Sequence, residues 1–371
     1  MKFEVRKSVF LDAIQTAASA VPSRSTLQIL NNFLLRLEGS WLEISATDMD
    51  MGIRVRVEVN GQENGAVVVN AKKLLDLIKV LPDDNINIMV EDYLLQIAWS
   101  EQGKATIAGF DASDFPQFPE ISEGLSFNLS SVELAFLTEK TSFAVSTDST
   151  RLILNGIYME YKDGQLIFVA TDGHRMGKAH IEQENLPIEQ GVIIPNKAIS
   201  QILRAKSGDA PIEISFDDSH VLFSGEDIQV VSKLIEGDYP KYESVIPSSF
   251  EKEVQANRME LIQVLRHASA VANQRTRQVR LSFEENSLEV SASDPTSGGE
   301  CRESFAVNYQ GESPFTIGFN GMYLQQILEM CSTEEIRIKM NSVVGAVIIE
   351  PIGEGLDFFF LLMPLRLVED A

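Results

Sequence analysis

The chain has 371 residues, 44% hydrophobic and 23% charged, which excludes disordered, collagen-like and coiled-coil chains and suggests two or three globular domains. Its 31 Lys and Arg stand against 54 Asp and Glu, a formal charge of −23. That excludes a protein that wraps nucleic acid by bulk attraction and leaves only a local or topological role on DNA.

In chain order, Met1-Lys2-Phe3-Glu4-Val5-Arg6-Lys7 holds no apolar signal core, and no run nears the roughly 18 apolar residues of a membrane span, so a cytoplasmic protein is expected. The first predicted helix puts Leu11, Ile14, Ala17 and Ala18 on one face. Residues 33–48, F-L-L-R-L-E-G-S-W-L-E-I-S-A-T-D, read as a β-hairpin turning at Glu38-Gly39-Ser40. Residues 53–59 alternate strictly and predict a half-buried strand. Residues 67–78 are a strand entering a helix, with Leu74, Leu77, Ile78 and Leu81 on its buried face. Asp-Phe-Pro-Gln-Phe-Pro (114–119) is a turn-rich joint.

The same order then returns twice. A helix with Val132, Phe136 and Leu137 precedes the hairpin 157–172, turning at Asp163-Gly164, and the strand-helix 192–203 carries Ile199, Ile202 and Leu203. After a second joint, Asp-Tyr-Pro-Lys-Tyr (238–242), come a helix with Leu261, Ile262 and Leu265, the hairpin 279–294 and the looser strand-helix 315–328. The hairpins end in Ala-Thr-Asp, Ala-Thr-Asp and Ala-Ser-Asp; Asp48 and Asp172 are 124 positions apart, Asp172 and Asp294 122. A period of one third of the chain predicts an α+β fold of three tandem domains, 1–121, 122–247 and 248–371, each with two helices and about eight strands. Such units are too large and dissimilar for a solenoid of short repeats.

The six helical segments (8–20, 72–81, 130–143, 197–207, 257–270 and 320–331) carry a net +3, so the remainder carries −26. Lys72, Lys73, Lys79, Lys197, Arg204, Lys206, Arg258 and Arg266, with Arg275 and Arg277 just beyond, gather on or beside helices. Either these are ordinary solvated helix residues, or the helices face a polyanion.

The stretch Ala170-Thr171-Asp172-Gly173-His174-Arg175-Met176 invites an acid/base or metal reading through Asp172 and His174, the basis of an alternative assignment as a hydrolase. The remaining histidines, His180, His220 and His267, are scattered, and Asp48 and Asp294 hold the same place with no following His, so the Asp reads first as a turn or cap residue. Nucleotide-loop and serine-hydrolase motifs are absent, and no cofactor is implied. Cys301 and Cys331 form neither a disulfide framework nor a C-x-x-C spacing, which suggests a reducing compartment. The apolar run 358–367 is either a core strand and its tail or the wall of a groove for a partner peptide.

Taken together, the chain resembles the bacterial DNA polymerase sliding clamp family, the beta processivity subunit of the replicative polymerase. The resemblance rests on Met1-Lys2-Phe3, Thr26-Leu27 with Ile29-Leu30-Asn31, Leu154-Asn155-Gly156, the A-T-D-G-H-R string at 170–175, Ser232-Lys233-Leu234 with Tyr239-Pro240, Gly318-Phe319-Asn320 and Met363-Pro364-Leu365-Arg366-Leu367. It implies a non-enzymatic, cofactor-free protein of three clamp domains, each with two helices and two sheets. Two chains would form a head-to-tail ring on double-stranded DNA with helices lining the hole. Polymerase, clamp loader and repair proteins would bind through short peptides of the Q-L-x-L-F type.

The resemblance further implies a peptide cleft of Leu154, Thr171, Gly173, His174, Arg175, Met176, Pro240, Val245, Val344, Leu362, Met363, Pro364 and Leu365, with His174 and Arg175 as polar edges. DNA-facing candidates are Arg24, Lys72, Lys73, Lys197, Arg204, Lys206, Arg275 and Arg277. The ring would close between Ala105, Thr106, Ile107 and Ala108 and the region of Ala270, Val271 and Ala272. Departures from the family pattern are Gln28 for a Pro, Leu365 for a Met, Ser244 for a basic residue, and the extension 368–371.

Overall fold

The computed structural model describes residues 1–119, 121, 124–205, 210–353 and 357–367. The helices α1 (Lys7–Ala18), α2 (Ala71–Val80), α3 (Ser131–Ser142), α4 (Asn196–Ala205), α5 (Arg258–Val271) and α6 (Gly321–Met330) fall where apolar periodicity predicts them. Between them, the three predicted domains hold nine, eight and nine strands among the described residues. Of the helix faces read from sequence, Leu74 and Ile78 in α2 and Ile199 and Ile202 in α4 are buried, joined by Ala71 and Ala198, while Leu77 and Leu203 are half-buried; in α3 Leu137 is buried with Leu134, and Val132, expected on that face, is 60% exposed. Asn70, Asn257 and Asn320 cap α2, α5 and α6 by accepting backbone N–H bonds at 3.0–3.3 Å.

The chain forms two compact units, Met1–Ala135 with Ile194–Ile235, and Phe136–Ile193 with Glu236–Ala371. Three sequence repeats give two units because the central repeat contributes strands to both. In the first unit, Met51–Glu58 pairs on one edge with Trp41–Thr47 of its own hairpin and on the other with Ile228–Lys233 of the second repeat (Gly52 opposite Val231). This joins thirteen strands into one sheet running from Leu125–Ser130 to Asn60–Glu63. α1 packs on Trp41–Thr47, Met51–Glu58 and α2, burying Phe10, Ala13, Ile14 and Ala17.

The second unit repeats the arrangement. Arg175–Glu182 pairs with Gln165–Thr171 of its hairpin and with Phe358–Leu362 of the third repeat, Met176 opposite Leu361. From there the sheet continues through Val347–Pro351, Glu335–Met340, Lys252–Asn257 and Asn308–Gln310. A separate sheet of four strands, ordered Gly299–Ala306, Ser287–Asp294, Gln278–Glu284 and Phe315–Asn320, carries α5 on one face. The hairpin turns at Gly39 and Gly164 need positive φ (61° and 83°), which glycine adopts without the Cβ clash.

Lys140, 7% exposed at its side chain, donates to the Met330 carbonyl at the C-terminus of α6 at 2.7 Å, and Arg258 Nε donates to Thr333 O at 2.7 Å just beyond. Lys140 thus satisfies a carbonyl that a helix end leaves unpaired, and Arg258 ties down the segment just beyond it. Cys331 follows at once and is 2% exposed; burial pushes its thiol up to about 12. Cys331 is therefore expected to resist alkylation in the native protein at pH 8 while Cys301, partly exposed on Gly299–Ala306, reacts. Mass spectrometry after a timed iodoacetamide pulse, with and without urea, checks this, and equal native labelling of both thiols would contradict the buried position.

Candidate functional site

Asp172 ends the strand Gln165–Thr171, and its Oδ1 accepts the backbone N–H groups of His174 and Arg175 at 2.9 and 3.1 Å. Thr171 Oγ1 accepts from Gly173 N at 3.0 Å and donates to Arg175 O at 2.7 Å, while Gly173 sits at φ +89°. Asp48 does the same for Asp50 and Met51 (3.1 and 2.7 Å), and Asp294 for Thr296 (3.1 Å). All three repeat aspartates are turn residues, as their recurrence suggested. The other Asp172 oxygen takes Arg175 Nε at 3.0 Å, so both oxygens are engaged away from the His174 ring. Among the described residues no group of three or more His, Cys, Asp and Glu could hold a metal ion.

Arg175 departs from its expected place on the rim. It is 9% exposed, its guanidinium lies 4.3 Å from the Tyr323 ring centre and 5.3 Å from that of Phe143, and Nη1 donates to Gln326 Oε1. The side chain is a buried tie between the 172–175 turn and α6. Beside it, Met363 N donates to His174 O at 2.8 Å, which brings the apolar C-terminal segment against the turn.

Met363 packs on a buried cluster of Ile167, Val169, Met176, Tyr242, Ile348 and Leu361. The joint 236–246 crosses this face: Tyr239 stacks on Tyr158 at 4.7 Å and 3°. Burial, with Glu160 nearby, pushes the Tyr158 phenol up to about 12, and burial pushes Tyr239 and Tyr242 up as well. The apolar wall therefore stays neutral at physiological pH. Leu154, Met176 and Leu362 are 6%, 1% and 0% exposed, beneath the surface rather than on it.

The reachable residues are Gly173, His174, Pro240, Val245 and Val344, with Thr171, Met363, Pro364 and Leu365 half-buried. The Arg151 guanidinium stands 3.0 Å from where a Gly173 Cβ would be, setting the Leu152–Leu154 turn beside the 172–175 turn. Leu152, 62% exposed there, has no periodic signal in the sequence that would single it out. Val344 and Leu365 meet in a groove of about 640 Å³ with Val343, Arg366 and Leu367.

Of the basic candidates, Arg24, Lys72, Lys73, Lys197 and Arg204 are exposed in the first unit and Arg275 and Arg277 in the second; Lys206 lies outside the described residues. On α2 and α4 the basic residues occupy the face opposite the buried one, and Lys197 Nζ reaches Asp48 at 3.1 Å. Lys104–Phe110 pairs with Leu94–Ala98 along 104–108 but meets Gly65–Asn70 only at Gly109 and Phe110. Ala105, Thr106, Ile107 and Ala108 thus keep one edge unpaired among the described residues.

Gly299–Ala306, the end strand of the four-stranded sheet, keeps its outer edge unpaired in the same sense. Val271, at the end of α5, lies 3.4 Å from where a Gly299 Cβ would stand, so the 270–272 region borders this edge. The strand itself was not among the sequence candidates. Its signal was the repeat: it is the third copy of Met51–Glu58 and Arg175–Glu182, both of which have a second partner.

Comparison with known proteins gives one family throughout. Residues 1–119, 128–241 and 243–366 match the N-terminal, central and C-terminal domains of the DNA polymerase III beta subunit. The chain is 31% identical to a beta sliding clamp of Pseudomonas putida, covering 99% of this chain and 100% of the relative. A DnaN sliding clamp structure from Pseudomonas aeruginosa bound to griselimycin superposes with TM-score 0.93 at 31% identity, over 99% of this chain and 100% of the other. The DNA polymerase beta subunit of Streptococcus pyogenes gives 0.94 at 25% identity over the same shares.

Removing a charge partner from a largely buried pair strands the other charge. Arg175→Ala, which leaves Asp172 at 14% side-chain exposure without its partner, is expected to lower unfolding free energy by about 3 kcal/mol. Urea denaturation checks this, and a loss under about 1 kcal/mol would mean that the residue is a surface rim group.

Proposed function

Because the chain belongs to the DNA polymerase III beta subunit family, the beta sliding clamps, we propose that two copies close head to tail on duplex DNA and present the 172–175 turn and the C-terminal segment as a peptide-binding cleft. The family's function is that of a DNA sliding clamp, a non-catalytic processivity factor, and the hydrolase alternative has no support. No helix among the described residues is long and apolar enough to cross a membrane; our reading places the protein in the cytoplasm, with domains bounded near 121 and 247.

The observation that carries the ring is the pair of open edges. At both internal junctions the strand after the Ala-x-Asp turn pairs with the last strand of the next repeat's sheet. Gly299–Ala306 is the third strand of that kind and Lys104–Phe110 the first copy's closing strand, and each has an unpaired edge. A second copy supplies what each lacks, and a heterologous contact repeated twice closes. Light scattering is expected to give twice the 41.2 kDa chain mass at micromolar concentration; a persistent monomer would count against the ring.

Exposed Lys72, Lys73, Lys197 and Arg204 would face the duplex, with Arg24, Arg275, Arg277 and Lys206 as further contacts, while the acidic remainder discourages side-on binding. Holding is then topological. Protein loaded on nicked circles should survive salt that abolishes direct binding and be lost on linearisation, whereas equal salt sensitivity on circles and linear DNA would remove encirclement.

For the cleft, half-buried Met363 and exposed Val344 are the anchors to truncate, since Leu154 at 6% exposure would leave a cavity instead. The griselimycin complex of the Pseudomonas aeruginosa clamp supports a ligand-accepting surface in the family. Polymerase, clamp-loader and repair-protein peptides are the ligands this reading expects. Met363→Ala is expected to weaken a Q-L-x-L-F-type peptide by about tenfold with the dimer mass unchanged; calorimetry showing unaltered affinity would mean that the cleft lies elsewhere.

A further inference from the structure

In each repeat one row of three residues crosses the sheet of the Ala-x-Asp hairpin. The rows are Leu34, Ser45 and Arg54; Tyr158, Val169 and Lys178; and Arg280, Ser291 and Arg302. The middle residue precedes Ala46, Ala170 or Ala292 of the hairpin ending, which fixes the equivalence. The third residue is a cation in every row.

The first two rows are covered by the joint that follows their repeat, and both joints place two aromatics three residues apart around a proline. In Phe115-Pro116-Gln117-Phe118 the Phe118 ring centre is 4.4 Å from the Arg54 guanidinium. In Tyr239-Pro240-Lys241-Tyr242, Tyr239 stacks on Tyr158 and Lys178 Nζ lies 5.8 Å from the Tyr242 ring centre. A cation under an aromatic face is the shared feature.

The third row lacks it. The segment 363–367 bonds to the two strands on the far side of the four-stranded sheet, where Leu365 N donates to Gly318 O at 2.8 Å and Arg366 O accepts from Gln278 at 3.1 Å, and its Leu367 borders the row without placing a ring there. Among the described residues no ring lies over Arg302. Its side chain is 66% exposed against 24% for Arg54, and it is paired with Glu300 at 2.8 Å. Arg280, Ser291 and Arg302 line a groove of about 760 Å³ that also takes in Arg275. Its lining holds three arginines and one glutamate, a local positive surface on a chain of −23.

We propose that this row is a second docking surface, distinct from the cleft. Its occupant is an extended acidic polypeptide segment with two aromatics three residues apart around a proline, supplied by another protein. The internal copies give the pattern: an aromatic lies over the third-position cation, and in the first joint Asp111 and Asp114 precede the aromatics. The docked aromatic would take Arg302, and its acidic neighbours Arg280 and Arg275. The surface uses none of the proposed cleft residues, but Arg280 also borders the groove of Val344 and Leu365, so Arg302 and the crosslink positions are what separate it from the peptide-cleft reading.

The probe is a synthetic peptide of residues 111–119, D-A-S-D-F-P-Q-F-P, titrated against the full chain by fluorescence anisotropy. A photoreactive phenylalanine at its second aromatic is then used for crosslink mapping. Saturable binding is expected, weakened at least about tenfold by combined Arg280→Glu and Arg302→Glu and several-fold by Arg302→Gln alone, each at the mass of the unaltered protein because Arg302 lies on the strand proposed to close the ring, with crosslinks within 278–302. Absence of saturable binding, undiminished affinity in the double variant with its circular dichroism intact, or crosslinks at 171–176 and 344 would overturn the proposal. So would binding that appears only in a chain shortened to end at Leu367, because the chain's own end would then be the occupant.

Discussion

A β-strand edge carries amide and carbonyl groups that must be paired, covered or left to water, and an open edge recruits another strand. In this protein the rule operates across repeat boundaries. Met51–Glu58 and Arg175–Glu182 each complete their second edge with a strand from the following repeat, so the repeats are joined by backbone hydrogen bonds as well as by side-chain packing. The placement of the candidate cleft follows from this. Leu362 lies opposite Arg175, Met363 bonds to His174 O, and the turn is presented beside the C-terminal segment because the two strands share a ladder.

Charge is distributed by the same architecture. Helices bury one apolar stripe, and the opposite faces of α2 and α4 carry exposed lysines and an arginine, while most acidic residues lie outside the helices. Lys197 reaches Asp48, a carboxylate whose other oxygen organises a hairpin end. A turn residue thereby also positions a basic one. Under the proposed function, sliding on a polyanion requires attraction weak and diffuse enough to leave no preferred register, which scattered, partly compensated cations would provide.

The threefold repeat, all six helices and the turn role of the three aspartates were legible in the sequence, because burial on one face imposes a period and a turn imposes a side chain. Exposure within the cleft was not. Met176 and Leu362 have the composition of pocket residues, yet in a sheet packed on both faces alternation does not tell a covered side chain from a reachable one, and Leu154 lies in a short turn with no period to read. Arg175 reads as a polar edge until Phe143, Tyr323 and Gln326, distant in sequence, are seen around it. The free edge of Gly299–Ala306 was hidden for a related reason: an edge is defined by an absent neighbour, and local pattern records only the strand.

The division of the central repeat has a consequence for how disturbances spread. The stretch that recurs in sequence is not the stretch that holds together as a compact body, since strands of the second repeat belong to two different sheets. The repeat recurs as one block of sequence but buries its apolar surface in two bodies. A destabilising change in Ile228–Lys233 is therefore felt first by the N-terminal repeat that shares its sheet, and one in Gln165–Thr171 by the C-terminal repeat, although the two segments belong to one repeat. Cooperativity then runs along the ladders that tie each half of the middle third to the repeat beside it.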